Sequence, residues 1–106
     1  MKDFIIASIV FREVKKEYGV TAAQMNSSTR VAKVREARQV FTQLMREHSS
    51  MTVEQIGMLV NRDHATVSIT TKVVRSELDT NAGYRKRYMR LKNNIENQIE
   101  DGKELC

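Results

Sequence analysis

Ile6, Val10, Val14 and Tyr18 recur every four residues with Phe11 beside them, which predicts a helix over residues 3–18 ended by Gly19. Thr21 and Gln24 have capping-box spacing, so one short helical turn follows, and Asn26-Ser27-Ser28-Thr29 then reads as a polar loop. Val34, Ala37, Phe41, Leu44, Met45 and His48 trace one face of a longer helix that Ser49-Ser50 interrupts. Thr52 and Gln55 repeat the capping-box spacing, and Val53, Ile56 and Leu59 give a helix of two turns. Asn61 suits the left-handed conformation that stops it. Asp63 then caps a helix whose inward side carries Val67, Val74 and Leu78. Two helices joined by so few polar residues have the dimensions of a helix-turn-helix, although a plain helical hairpin has the same pattern. Tyr84, Tyr88, Leu91, Ile95 and Ile99 make a final amphipathic helix.

Composition narrows the class. The 106 residues suffice for one domain with a single core, and 41% are apolar, 29% charged and 6% aromatic. Proline is absent and glycine occurs four times, which argues against a turn-rich sandwich or barrel. The single cysteine, Cys106, is terminal, so a disulfide scaffold is excluded and a reducing, cytoplasmic setting is expected. The longest apolar run, Phe4 to Phe11 with Ser8 inside it, is too short to span a membrane. No membrane partner is expected.

Charge points outward. Lys and Arg number 18 against 13 Asp and Glu, a formal net charge of +5, and the pI is about 9.6. Residues 30–51 hold five bases against two acids, and Arg30, Lys33, Arg35 and Arg38 are interrupted only by Glu36. Such a cluster is either a solvated helix face or an electrostatic footprint for nucleic acid. The last helix is basic at its start (Arg85, Lys86, Arg87, Arg90, Lys92) and acidic at its end (Glu96, Glu100, Asp101). That order opposes the helix dipole, so something other than helix stability is expected to place those bases, a phosphate backbone among the candidates.

Arg62-Asp63-His64-Ala65-Thr66-Val67 resembles the R-D-H-T-T-V signature in the C-terminal DNA-binding domain of the bacterial chromosomal replication initiator DnaA. Ile56-Gly57 matches that family's short preceding helix, and Arg38-Gln39 stands at the family's distance before the glycine. Tyr18-Gly19-Val20 is similar to its Y-[FYG]-[IV], so the resemblance spans roughly residues 8–79. Three features depart from it. Asn61 stands where the family has two glycines, Ala65 replaces a threonine, and Glu36-Ala37 replaces an R-P pair. No phosphate-binding G-x-x-x-x-G-K-[ST] loop occurs, so the expectation is a stand-alone reader without the ATPase module.

The resemblance implies an all-α, Trp-repressor-like domain over residues 1–79, with the helix-turn-helix at about 52–79. Residues 80–106 are expected to add an amphipathic helix packed on the same domain. It further implies sequence-specific binding of double-stranded DNA, in replication initiation or its regulation. Asp63, His64, Ala65 and Thr66 would meet base edges in the major groove. Arg30 would enter the minor groove, where the negative potential favours a guanidinium. Lys33, Arg35, Arg38, Gln39, Arg62 and Lys72 would contact phosphates, which set register without reading sequence. A helical protein-interaction module, with residues 80–101 docking a partner, and a transcriptional regulator are the alternatives. No catalytic constellation, metal-ligand spacing or cofactor motif accompanies His48, His64 or the dispersed methionines, so no enzyme, metal or cofactor is expected. Tyr84 and Tyr88 are open to either core packing or base stacking.

Overall fold

The computed structural model describes residues 1–105, with side chains through residue 102; Cys106 lies outside the described residues. These residues form six helices and no strand: α1 (Asp3–Tyr18), α2 (Ala22–Asn26), α3 (Ala32–His48), α4 (Val53–Leu59), α5 (His64–Thr80) and α6 (Ala82–Leu105). The chain is thus all-helical, as its periodicity predicts.

Local chemistry sets the boundaries. Gly19 takes φ 62° and donates its N–H to the Lys15 carbonyl at 2.8 Å, closing α1 in a conformation that glycine adopts without a Cβ penalty. Both capping boxes form. Thr21 accepts from the Gln24 N–H at 3.1 Å and Thr52 from the Gln55 N–H at 3.2 Å, and each glutamine side chain returns the bond. Asn61 has φ 56°, the left-handed geometry that ends the α4 segment.

The central helix is α3, packed against α1, α2, α4 and α5, while α6 packs on α1 and α5. Val34, Ala37, Val40, Phe41, Leu44 and Met45 of α3 are buried, and Phe41 meets Phe11 edge-on at 5.2 Å. Ile6, Val10 and Val14 close the core from α1, and Ile56 from α4. Tyr84, Tyr88, Leu91 and Ile95 close it from α6, so both tyrosines are core residues and do not stack on bases. The same burial places Tyr84, Tyr88, Leu91 and Ile95, on the apolar face of the segment that the alternative reading gave to docking a partner, in this chain's own core.

Three of the five bases at the start of α6 meet acids of the same chain. Arg87 makes two 2.8 Å bonds to Glu36, Arg90 pairs with Glu17, and Lys92 lies 3.1 Å from Glu47. Arg87, Arg90 and Lys92 thus complement acids on α1 and α3, whereas Arg85 donates to the Leu78 carbonyl at 2.8 Å and Lys86 has no carboxylate partner among the described residues. Among the described residues no helix is long and apolar enough to cross a membrane.

Candidate nucleic-acid interface

The site is assembled by α4, α5, the turn between them and the loop before α3. The turn closes tightly because the Arg62 N–H reaches back to the Gly57 carbonyl at 2.8 Å. A Cβ on Gly57 would stand 2.3 Å from the Arg62 carbonyl oxygen, so only glycine fits there. Asp63 caps α5 by accepting the Thr66 N–H at 2.8 Å, and that hydrogen bond holds its carboxyl below the ordinary aspartate range. The cap leaves Asp63, His64, Ala65 and Thr66 all exposed at one helix end.

The loop is ordered by its own side chains and then tied to the turn. The Ser27 hydroxyl donates to the Gln24 carbonyl at 2.7 Å and accepts the Thr29 N–H at 3.3 Å, while Thr29 Oγ1 accepts the Val31 N–H at 3.3 Å. Arg38 Nε donates to the Met25 carbonyl at 2.9 Å, and its Nη2 reaches the carbonyls of Ser27 (3.1 Å) and Thr29 (3.5 Å). Arg62 comes from the other side, with Nη2 2.9 Å from the same Ser27 carbonyl. Asn61 Nδ2 adds a bond to the Asn26 carbonyl at 3.3 Å. Two guanidiniums sharing one carbonyl therefore join the loop to the helix-turn-helix.

This arrangement divides the expected phosphate contacts. Arg38 is buried, and its guanidinium is committed to loop carbonyls; desolvation first, then the neighbouring charge of Arg62, lowers its pKa. Arg62 is half-buried and also donates to the carbonyls of Val60 and Asn61. Arg30, Lys33, Arg35 and Lys72 are exposed, and among the described residues none has a side-chain hydrogen bond or a carboxylate partner. Gln39 is half-buried, with its carbonyl oxygen accepting from the Tyr84 hydroxyl at 3.3 Å. Its amide N–H groups remain available as donors.

A groove between α3 and α5 brings many of these groups together. Arg35, Arg38, Gln39, Arg62 and Thr66 line it along with Ile69 and Val73. Arg30, Lys33, Asp63, His64, Ala65 and Lys72 are not among its lining residues. The two apolar residues went unmarked in the sequence, where β-branched residues in a helix read as core. Their only signal was spacing, since Ile69 and Val73 continue from Ala65 at intervals of four. Among the described residues no three His, Cys, Asp or Glu side chains gather to hold a metal ion.

Residues 7–74 match the family described as the bacterial dnaA protein helix-turn-helix. The chain is 31% identical over 85 residues to a chromosomal replication initiator protein DnaA from Porphyromonas gingivalis, covering 79% of this chain and 18% of that protein. A DnaA from Bacteroides fragilis is 29% identical over 77 residues, covering 72% and 16% respectively. One from Chloroflexus aggregans is 29% identical over 93 residues, covering 87% and 20%. The chain thus spans a fifth or less of the length of these relatives. All of α6 lies beyond the family match.

Proposed function

Because the chain belongs to the bacterial dnaA protein helix-turn-helix family, we propose that it binds double-stranded DNA sequence-specifically through α5 and the 27–31 loop. The observation that carries this reading is a set of exposed bases on the 27–31 loop, α3 and α5 that acids of the same chain do not neutralise. Arg30, Lys33, Arg35 and Lys72 have no carboxylate partner among the described residues, whereas Arg87, Arg90 and Lys92 of α6 do, although Arg85 and Lys86 of α6 do not. Unpaired cations, of which Arg35 lines one groove with Thr66 of the exposed start of α5, suit a polyanion that presents base edges in a groove.

In this reading the N-terminal end of α5 enters the major groove. Asp63 accepts from a cytosine amino group while still capping the helix, and His64 donates to guanine or meets a thymine methyl. Ala65 and Thr66 offer methyl groups to thymine, and Thr66 adds a hydroxyl. Arg30 reaches into the minor groove. Lys33, Arg35, Gln39 and Lys72 hold phosphates and set register. Arg38 and Arg62 act behind them, fixing the loop so that Arg30 and α5 address one duplex together. The relatives' name, chromosomal replication initiator, supports a place in replication initiation or its regulation.

Salt dependence tests the reading. Counterion release from about four to five phosphates gives a log–log slope of roughly −4 between low and moderate salt. Fluorescence anisotropy with duplex and single-stranded probes should show that slope and a preference for duplex. A slope near zero would remove DNA binding as the function, and equal affinity for single strands would remove duplex recognition.

A further inference from the structure

Ile69 is 60% exposed on α5, and Val73, one turn further, is 37% exposed. The buried residues of this helix are Val67 and Val74, and Ile69 stands roughly 150° around the axis from both. Core packing therefore does not account for it. Helix propensity does not either, since a β-branched residue at an exposed helical position is slightly unfavourable. Ile69 lies four residues after Ala65, on the next turn of the same face. It also lines the groove that contains Thr66, Arg35 and Gln39, so it shares a surface with one candidate base reader and two candidate phosphate contacts.

The chemistry of the major groove limits what an isoleucine can meet there. Base edges present hydrogen-bond donors and acceptors, and a single apolar group, the C5 methyl of thymine. We propose that Ile69 is a specificity-determining residue that packs against a thymine methyl, one helical turn beyond Ala65. This rests on the reading that α5 occupies the major groove. It extends the reading surface past the first turn and gives a preference for thymine that hydrogen-bond donors alone would not supply.

The test deletes one methyl at a time. The probe is the duplex most enriched by the unmodified protein from a random-sequence library, with each thymine replaced in turn by deoxyuridine, which keeps base pairing. Burying one methyl is worth about fourfold in affinity, so one or two replacements should weaken binding by about that factor. Ile69→Ala should bind the thymine duplex at least as weakly, and should no longer distinguish thymine from uracil at one of those positions, while any position met by His64, Ala65 or Thr66 keeps its difference. Because Ile69 lies outside the core, this variant should keep the parent's thermal unfolding transition, followed by circular dichroism. The inference is overturned if Ile69→Ala retains the full thymine–uracil difference at every position, or if no thymine matters to the parent. Failure to enrich any sequence would overturn both the inference and the function on which it rests. Enrichment with unchanged discrimination in Ile69→Ala would overturn the inference alone.

Discussion

Arg35 and Arg38 stand one turn apart on α3, and their surroundings give them opposite tasks. Arg35 is exposed, with no carboxylate partner among the described residues, whereas Arg38 is buried with its donors on the Met25, Ser27 and Thr29 carbonyls. Hydrogen bonds from a charged donor contribute more than neutral ones, and removing the donor leaves buried acceptors unsatisfied. Arg38→Ala should therefore lower the unfolding free energy by about 2 kcal/mol in urea denaturation. Arg35→Ala should change stability by less than about 0.5 kcal/mol. In anisotropy titrations it should weaken all duplexes alike and reduce the salt slope by about one. Unchanged stability in Arg38→Ala would mean that this arginine does not hold the loop.

Among the elements, α4 and α5 depend on their junction. Helix α5 is rich in β-branched residues, which are modest helix formers, and it relies on the Asp63 cap and on burial of Val67 and Val74. Its angle to α4 is set where Gly57 passes the Arg62 carbonyl, and Val67 Cγ2 lies 3.4 Å from the Gly57 Cβ position. Alanine is ordinarily the better helix former, so propensity alone predicts that Gly57→Ala stabilises α4. The clash with turn backbone reverses that sign. We expect a loss of about 1–3 kcal/mol by chemical denaturation, typical of forced overpacking. Hydrogen exchange at the Arg62 N–H should quicken, because its bond to the Gly57 carbonyl is the one stretched. Equal or greater stability would show that the turn yields freely.

Across the whole molecule, Glu36 joins three helices. Its carboxylate accepts from the Tyr18 hydroxyl of α1 and takes two bonds from Arg87 of α6. Burial alone would raise its pKa, but the hydrogen bonds from Arg87 and Tyr18 and the Arg87 charge outweigh burial and lower it. A carboxylate with a lowered folded pKa contributes stability that is fully present above its ordinary value of 4.5. That contribution disappears as pH falls below 4.5 through the lowered value. Glu36→Gln should thus melt below the parent at neutral pH and lose less on acidification, so that the two midpoints approach each other in acid. Parallel curves of melting temperature against pH would show that Glu36 does not couple α6 to the rest. The acid that departs from the family's R-P pair has a structural partner in Arg87 on the helix beyond the family match.

Features governed by neighbours along the chain were legible in the sequence. Helix periodicity, the two capping boxes, the left-handed Gly19 and Asn61 and the Asp63 cap all arise from backbone sterics and contacts within one or two turns. The exposed start of α5, carrying Asp63, His64, Ala65 and Thr66, belongs with them because its position follows from the cap. Tertiary structure alone distinguished bases with partners from bases without. Arg38 finds carbonyls nine to thirteen residues away, Arg62 reaches Ser27 across 35 residues, and Arg87 meets Glu36 across 51. None of these partners is within a helical turn along the chain, so residue type and local spacing do not reveal them. Long side chains take the partners that packing brings within reach, and packing is a property of the assembled core. The same reason hid what constrains Gly57 and what exposes Ile69: one meets a turn that folds back on it, and the other is left outside by a core already filled by Val67 and Val74.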